Sequence, residues 1–288
     1  MIPAAFDYLA PRTLDEALAA LAAHGGEAKV LAGGQSLIPA MRFRLTAPAV
    51  LVDINGVPGL EYIREENGHL AIGALTREAA LEDSALVARA YPLLADAARV
   101  IADPLVRNRA TVGGNLAHAD PANDHPAVML AYGAQLVARG PHGVRTIPID
   151  AFFLGMFETA LAPDELLAEI RIPRPGAGTG GAYLKLERKV GDYAVSAVAV
   201  QLTMSGDTCT AARVALTNVN PTPMRAIGAE QALVGQRLTE DVLEAAGHAA
   251  AAECDPSADL RGSVEYKRDL TRVLVKRAVR RAAERAAA

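Results

Sequence analysis

The sequence predicts an α+β protein of two domains, the second containing a small antiparallel sheet. Its 288 residues are enough for two domains, and a hydrophobic content of 51% is enough for a substantial core. Strand and helix patterns are interspersed up to residue 172, whereas three strand patterns and then three helix patterns follow residue 181. Proline and glycine dominate residues 173–181, and no apolar pattern crosses them. We therefore predict domains at residues 1–176 and 177–288.

The N-terminal region is predicted to run strand, helix, strand. Thr13 and Glu16 indicate a capping box, in which the Thr13 hydroxyl accepts from the Glu16 N–H and Glu16 reaches back to the N-cap. Apolar residues at helical spacing follow, and Gly25 and Gly26 end that helix. The next predicted elements are a strand at residues 28–32, a helix at 37–42 and a strand at 50–54.

The middle of the chain is predicted to begin with a hairpin at residues 61–73, because Asn67 and Gly68 tolerate the positive φ of its turn. Helices are predicted at residues 76–86 and 92–101.

Residues 103–124 are rich in Gly, Asn, Asp, His and Pro and show no periodicity. An irregular loop of that length favours a binding role. The remaining predicted elements are strands at 135–139, 144–149, 166–172, 182–189, 195–204 and 209–217, and helices at 226–234, 240–253 and 266–283.

Composition excludes several classes of protein. The two cysteines, Cys209 and Cys254, cannot supply the four thiolates of an iron-sulfur cluster or a zinc cage, and they favour a reducing, cytoplasmic compartment. A formal net charge of -4 disfavours a nucleic-acid-binding surface over the whole chain. Residues 1–9 show no secretory signal, and no charge-free stretch is long enough to span a membrane.

Catalytic motifs are missing. The sequence has no G-x-S-x-G elbow, no H-E-x-x-H motif and no P-loop lysine motif, and Gly33-Gly34 lacks the G-x-G-x-x-G spacing. The isolated histidines at positions 24, 69, 142 and 248 are interpreted as structural or exposed. We predict neither a catalytic residue nor a metal site.

Two similar segments place adjacent glycines beside small polar residues: Ala32-Gly33-Gly34-Gln35-Ser36 and Thr111-Val112-Gly113-Gly114-Asn115. Glycine lets a backbone N–H approach an anion without a Cβ clash, and the polar neighbours add side-chain hydrogen bonds. One such pair is an ordinary tight turn. Two of them, the second within the long polar loop, indicate a cofactor that contains a diphosphate.

These segments, with residues 101–118, Asp120-Pro121-Ala122-Asn123-Asp124 and Asp259-Leu260-Arg261-Gly262, resemble the FAD-binding medium subunit of the molybdenum hydroxylases. This is the family of xanthine dehydrogenase and carbon monoxide dehydrogenase, and the resemblance is closest to the carbon monoxide dehydrogenase type. It covers nearly the whole chain. It implies a p-cresol methylhydroxylase-type FAD-binding domain with lobes at about 1–55 and 56–176, followed by a small C-terminal α+β domain.

The resemblance also implies the cofactor-binding residues. Those expected to hold the pyrophosphate and its entrance are Lys29, Ala32, Gly33, Gly34, Gln35, Ser36, Leu37, Thr111, Gly113, Gly114 and Asn115. Those expected along the ribityl chain, the polar middle of the cofactor and the isoalloxazine ring are Ile101, Ala102, Ala117, Asn123, Asp124, Leu161, Lys185 and Tyr193. The ring of Tyr193 is suited to covering a flavin face.

The function implied is that of an electron-transfer subunit in a heterotrimer, present twice in a larger assembly. A large molybdopterin subunit acts on the substrate, a small subunit with two [2Fe-2S] clusters relays electrons, and FAD in this chain passes them to an external acceptor such as a quinone. The location expected is cytoplasmic or peripheral to the inner face of the membrane.

Alternatives stay open at this point. Gln35 and Asn115 stand where carbon monoxide dehydrogenase subunits usually have His and Asp, and both occur in relatives that act on N-heterocycles, ketones or aldehydes. A stand-alone flavin oxidoreductase would need its own acid or base. A non-enzymatic binding protein could use the eight cations between residues 267 and 285, which also suit a solvated or subunit-contacting helix face.

Overall fold

The computed structural model describes residues 2–287 and begins with a three-stranded parallel sheet. Its order is β1 (Asp7–Leu9), β3 (Val50–Asp53), β2 (Ala28–Leu31), with α1 (Leu14–His24) between β1 and β2 and α2 (Leu37–Arg42) after β2. The predicted strand-helix-strand start is confirmed. The capping box is half right. Thr13 Oγ1 accepts from the Glu16 N–H at 3.1 Å, as predicted. Glu16 Oε2, however, accepts from the N–H of Arg12 at 2.7 Å, one residue before the N-cap, and not from the N–H of Thr13.

A five-stranded antiparallel sheet follows, and its strands in spatial order are β4 (Ile63–Glu66), β5 (His69–Gly73), β10 (Leu166–Pro173), β6 (Gln135–Gly140) and β7 (Gly143–Pro148). A small hairpin, β8 (Phe153–Gly155) and β9 (Glu158–Thr159), lies between β7 and β10 in the chain. The predicted 61–73 hairpin is confirmed, and both Asn67 and Gly68 have positive φ.

Six helices lie between β5 and β6: α3 (Glu78–Glu82), α4 (Ala85–Ala90), α5 (Pro92–Ala98), α6 (Pro104–Arg107), α7 (Val112–His118) and α8 (Asp124–Tyr132).

Two predictions for this region were wrong, and one helix was missed. The single helix at 76–86 is two helices, because the Ser84 hydroxyl accepts from the Val87 N–H and starts a new one. The long loop at 103–124 contains α6 and α7. The helix α8 was not predicted at all, because every one of its residues is buried and no polar face marks its periodicity.

The C-terminal region is a four-stranded antiparallel sheet with three helices. The strands, in spatial order, are β11 (Thr179–Glu187), β12 (Ala194–Ser205), β13 (Thr208–Thr217) and β14 (Met224–Arg225), and the helices are α9 (Ile227–Leu233), α10 (Glu240–Glu253) and α11 (Val264–Ala286). Both faces of β12 are buried. Ala197 and Ala199 belong to the core around α5 and α8, whereas Val198 and Val200 belong to the core under α11.

An ionic cluster joins the two regions. Asp96 of α5, whose side chain is 7% exposed, accepts from Arg281 at 3.1 Å and from Arg285 at 2.6 Å, both on α11. Its Oδ2 also accepts from the Tyr183 N–H of β11 at 3.2 Å. One carboxylate therefore ties α5 to the last helix and to the first strand of the C-terminal sheet.

The basic face of α11 is matched by carboxylates of the same chain. Lys276 lies 2.9 Å from Glu240, and Arg272 pairs with Glu244 and lies 3.0 Å from Asp269. Together with the Asp96 cluster, these ion pairs already neutralise much of the positive charge on α11 that a nucleic acid would have to bind. They favour the interpretation of this face as a solvated or subunit-contacting helix face over a nucleic-acid-binding one.

Candidate cofactor site

The first glycine segment forms a turn between β2 and α2 with a row of free donors. Gly34 has φ +74°, a conformation that favours glycine. Among residues 2–287, the backbone N–H groups from Gly33 to Leu37 have no hydrogen-bond acceptor. Successive free N–H groups around a left-handed residue make an anion-binding concavity. The turn therefore has the donors that a diphosphate requires.

The second glycine segment differs from the first, because it opens helix α7 and its donors are already used. Gly113 N–H donates to Ala74 O at 3.0 Å, and Gly114 N–H donates to Thr111 Oγ1 at 3.1 Å. A Cβ at Gly113 would lie 2.5 Å from the Ala74 Cβ. This segment offers close packing rather than free N–H groups, a distinction that the similar sequences concealed.

The fold brings the two segments together. A Cβ at Gly33 would lie 2.3 Å from Arg109 O and 2.8 Å from the Ala110 Cα, immediately before the second segment. A Cβ at Gly114 would lie 3.9 Å from the Ala32 methyl group. The two glycine pairs, about 80 positions apart in the sequence, form one seam.

Next to the seam lies a wall formed by α8 and β11. Asp124 Oδ1 accepts from the Tyr183 hydroxyl at 2.5 Å, and Oδ2 accepts from Lys185 Nζ at 3.1 Å. Lys185, 2% exposed, also donates to Val100 O at 3.0 Å, beside Ile101. Burial raises the pKa of Asp124 above its ordinary value, with Lys185 and Tyr183 acting in the opposite direction. Asp124 and Lys185 thus brace each other and the segment that carries Ile101.

Asn123 and Asn115 connect this wall to the second glycine segment. Asn123 Nδ2 donates to Asn115 O at 2.8 Å. The Asn115 Oδ1 is buried and has no donor among the described residues. A buried acceptor without a partner is costly, so this oxygen is suited to a donor from a bound molecule.

Tyr193 lies on a turn that packs on the Ile101–Ala102 segment. A Cβ at Gly191 would lie 2.9 Å from Ala102 O. The Tyr193 ring is 43% exposed, and the Arg261 guanidinium carbon lies 5.8 Å from its centroid. Arg261 and the Tyr193 N–H both donate to Asp192 Oδ1, each at 2.8 Å. The Asp-Leu-Arg-Gly motif near the end of the chain therefore supports Tyr193.

The remaining predicted residues lie around the seam with fewer contacts. Lys29 is exposed on β2, Gln35 is exposed with its Nε2 3.5 Å from Gly33 O, and Ala117 is exposed on α7. Leu161 is half-buried against the core of the five-stranded sheet.

Three residues that hold these segments were missed by the sequence reasoning. Arg107 donates to Ile101 O at 3.0 Å and to Ala102 O at 3.1 Å, and so fixes Ala102 at its positive φ. Asn55 and Arg77 connect the two glycine segments. Nothing in the local sequence signals these roles, because each side chain bonds to backbone atoms distant in the chain.

Two further features concern metals and membranes. Within residues 2–287, one group of side chains has ligand atoms at metal-binding distance: Glu66, His69 and Glu169. Its carboxylates already pair with Arg64 and Arg171, so we assign no metal to it. In the same range no helix has both the length and the apolar character to cross a membrane.

These observations fit a flavin with a diphosphate. The row of free N–H groups could hold a phosphate, the glycines let the two segments pack closely, and the buried Asn115 Oδ1 has no protein donor among the described residues. The donors are neutral backbone N–H groups, and cations lie nearby. Such a set of groups suits an anionic phosphate rather than a metal ion.

Comparisons with known proteins agree with this assignment. A model of the FAD binding domain in molybdopterin dehydrogenase matches residues 4–175, and a model of the CO dehydrogenase flavoprotein C-terminal domain matches residues 181–282. The chain is 48% identical to the carbon monoxide dehydrogenase medium chain of Hydrogenophaga pseudoflava over 100% of both chains. It is 39% identical to the 6-hydroxypseudooxynicotine dehydrogenase complex subunit alpha of Paenarthrobacter nicotinovorans, over 99% of this chain and 97% of the relative.

A solved structure of carbon monoxide dehydrogenase from Hydrogenophaga pseudoflava, lacking the Mo-pyranopterin moiety of its cofactor, superimposes with a TM-score of 0.97. The identity is 50%, and the match covers 99% of each chain. The α+β fold class and the resemblance predicted from the sequence are confirmed. The chain belongs to the FAD-binding medium subunits of the molybdenum hydroxylases, an oxidoreductase family, and is of the carbon monoxide dehydrogenase type.

Proposed function

We propose that this chain carries electrons out of a heterotrimeric molybdenum hydroxylase. It would receive them from [2Fe-2S] clusters of a small subunit, while a large molybdopterin subunit acts on the substrate. The external acceptor would be a quinone or a similar carrier, and the heterotrimer would pair into a dimer in the cytoplasm. The observation that carries the proposal is the seam of two glycine segments with five free N–H groups, in a chain of this family.

FAD, when bound, would supply the redox chemistry, since it can accept and release electrons. The residues of this chain would bind and orient it. The N–H groups from Gly33 to Leu37 would hold the diphosphate, and Gly113 and Gly114 would keep the facing wall close. Lys185 Nζ would donate to Asp124 and Val100 O and thereby hold Ile101 in place. Tyr193 would limit the access of water to the ring.

The substrate of the whole complex is proposed to be carbon monoxide, on the strength of the similarity to the Hydrogenophaga medium chain. A second candidate is an N-heterocycle, ketone or aldehyde. It is favoured by Gln35 and Asn115 and by the similarity to a 6-hydroxypseudooxynicotine dehydrogenase subunit. Co-purified complex, mixed anaerobically with carbon monoxide or with a 6-hydroxypyridine, would distinguish them by which compound bleaches the cluster and flavin absorbance.

Cofactor binding is tested on the full chain by titration with FAD, followed by quenching of flavin fluorescence. We expect Gly33→Ala to weaken the affinity for FAD at least about tenfold. Its methyl group would meet the rigid carbonyl of Arg109 and push the two segments apart. Gly26→Ala is the matched control, since nothing lies within 4 Å of a Cβ there. Equal affinities for the two variants would contradict the proposed site.

The electron-transfer role is tested in the assembled complex. We expect a Gly33→Ala complex without flavin to retain substrate-dependent bleaching of the [2Fe-2S] clusters and to lose reduction of the quinone. Quinone reduction at the wild-type rate by that complex would overturn the role, because electrons would then leave by another route.

A further inference from the structure

Two side chains outside the glycine segments connect them. Asn55 follows β3, and its Nδ2 donates to Ala32 O at 2.8 Å. Arg77 precedes α3, and its Nη2 donates to Asn55 Oδ1 at 2.7 Å while its Nη1 donates to Arg109 O at 2.5 Å. The path from Ala32 to Arg109 is therefore continuous through two side chains.

The carbonyl of Arg109 lies at the tightest point of the seam. It accepts from Arg77, and it is also the atom that a Cβ at Gly33 would meet at 2.3 Å. Backbone bonds fix Arg77 itself, because the Thr76 carbonyl accepts from Val112 N–H and the Glu78 N–H donates to Ala110 O. The backbone on both sides of Arg77 is therefore bonded to the same segment, residues 109–112, that its guanidinium contacts.

Among the described residues the guanidinium of Arg77 forms no direct ion pair, although Glu61 and Asp53 lie near enough to act on its charge. Within residues 2–287 no carboxylate lies within ion-pair distance of its guanidinium. The nearby Asp53 is engaged elsewhere, since its Oδ2 accepts from the Tyr8 hydroxyl at 2.6 Å and its Oδ1 accepts from Asn55. Burial, aided by Arg109, lowers the pKa of Arg77, but a guanidinium stays charged. A half-buried, unpaired cation thus lies beside the row of free N–H groups.

We propose that Arg77 and Asn55 are positioning residues that hold the two glycine segments at the spacing of the FAD diphosphate, with the unpaired charge of Arg77 attracting that diphosphate. This inference rests on the proposed function. Arg77 is suited to the task because its planar fork reaches two acceptors at once, which a lysine ammonium cannot do with the same geometry.

The test is the affinity of the full chain for FAD in three variants. We expect Arg77→Gln and Asn55→Ala each to weaken binding about tenfold, the size of a lost hydrogen bond to a charged or buried partner. The double variant is expected to lose little more than Arg77→Gln alone, because the two side chains act in series. Asn55→Ala also keeps the inference testable if Arg77→Gln does not fold.

Two further measurements separate positioning from general destabilisation. Arg77→Lys is expected to bind FAD nearly as weakly as Arg77→Gln but to keep the wild-type salt dependence, whereas Arg77→Gln should show a shallower one. The matched control is Arg213→Gln, whose guanidinium likewise donates to a backbone carbonyl, Leu130 O at 2.8 Å, at the C-terminal end of α8 and not at the seam, and also pairs with Asp150. It is expected to bind FAD like the wild type.

Wild-type FAD affinity in both Arg77→Gln and Asn55→Ala would overturn this inference and leave the proposed function intact. Wild-type affinity in Arg77→Lys would overturn the positioning part, since charge alone would then suffice. A wild-type chain that binds no FAD would instead overturn the proposed function.

Discussion

At the residue scale, the least expected contact is a buried ion pair behind the seam. His125 Nε2 lies 2.7 Å from Glu78 Oε2, and both side chains are fully buried. Burial alone would lower the pKa of His125, but the adjacent Glu78 carboxylate overrides it and raises that pKa. The pair joins Glu78, the first residue of α3, to the first turn of α8. Both helix starts contact the region of the second glycine segment, since Glu78 N–H donates to Ala110 O and Asn123 donates to Asn115 O.

The raised pKa predicts a pH dependence of stability. A group whose folded pKa exceeds its unfolded value of about 6.5 stabilises the fold fully below that value, and the contribution is lost as pH rises through the folded pKa. We expect the free energy of unfolding to fall by up to about 1.4 kcal/mol per pH unit in that window. Urea unfolding at a series of pH values should show this slope in the wild type and in the exposed control His24→Gln. His125→Gln should lack it, and an unchanged slope in that variant would contradict the assignment.

At the element scale, amphipathic segments and segments bounded by a helix cap or a turn were predictable from the sequence, and wholly buried segments were not. The helix α1 and the hairpin of β4 and β5 carry local signals, a cap and an Asn-Gly turn, that the structure confirms. The helix α8 has no polar face because it is enclosed by the five-stranded and four-stranded sheets, so its sequence lacks the period that indicates a helix.

The same limit applies to the predicted cofactor site. The glycine pairs were visible in the sequence, but the use of the Gly113 N–H depends on Ala74, which the sequence does not connect to it.

The cap of α7 gives a prediction for this scale. Thr111 Oγ1 accepts from the Gly114 N–H at 3.1 Å, and Ser84 Oγ caps α4 in the same way at 3.3 Å. We expect Thr111→Val and Ser84→Ala each to cost about 1 kcal/mol of unfolding free energy in urea. Only Thr111→Val should also weaken FAD binding, since it alone loosens the second glycine segment. Equal FAD affinities in the two variants would show that this cap is structural only.

At the scale of the whole molecule, we expect the Asp96 cluster to decide whether the chain unfolds as one unit. Removing Arg281 and Arg285 leaves a buried, unpaired carboxylate, which costs about 3–5 kcal/mol. We expect the double variant Arg281→Ala/Arg285→Ala to unfold in two calorimetric transitions where the wild type shows one. Adding Asp96→Asn should recover part of the loss, because the uncompensated charge is gone. A single transition at the wild-type midpoint in the double variant would contradict this role.

The domain boundary near residue 176 stays a prediction at this scale. Its composition signal was clear, yet β11 begins at Thr179, inside the Pro/Gly segment, because Gly180 packs closely on α11. A Cβ at Gly180 would lie 2.0 Å from Ala282 O, so a glycine that suggests a linker serves here as a contact point. Composition cannot distinguish the two uses.

The Asp96 cluster also bears on biosynthesis. It joins residue 96 to residues 281 and 285, so the chain must be translated through residue 285 before this contact can form. The strand that carries Lys185 is bound to the same carboxylate through the Tyr183 N–H. A nascent chain therefore lacks the completed wall of α8 and β11 until α11 has been made, and we expect loading of the cofactor to follow the synthesis of that helix.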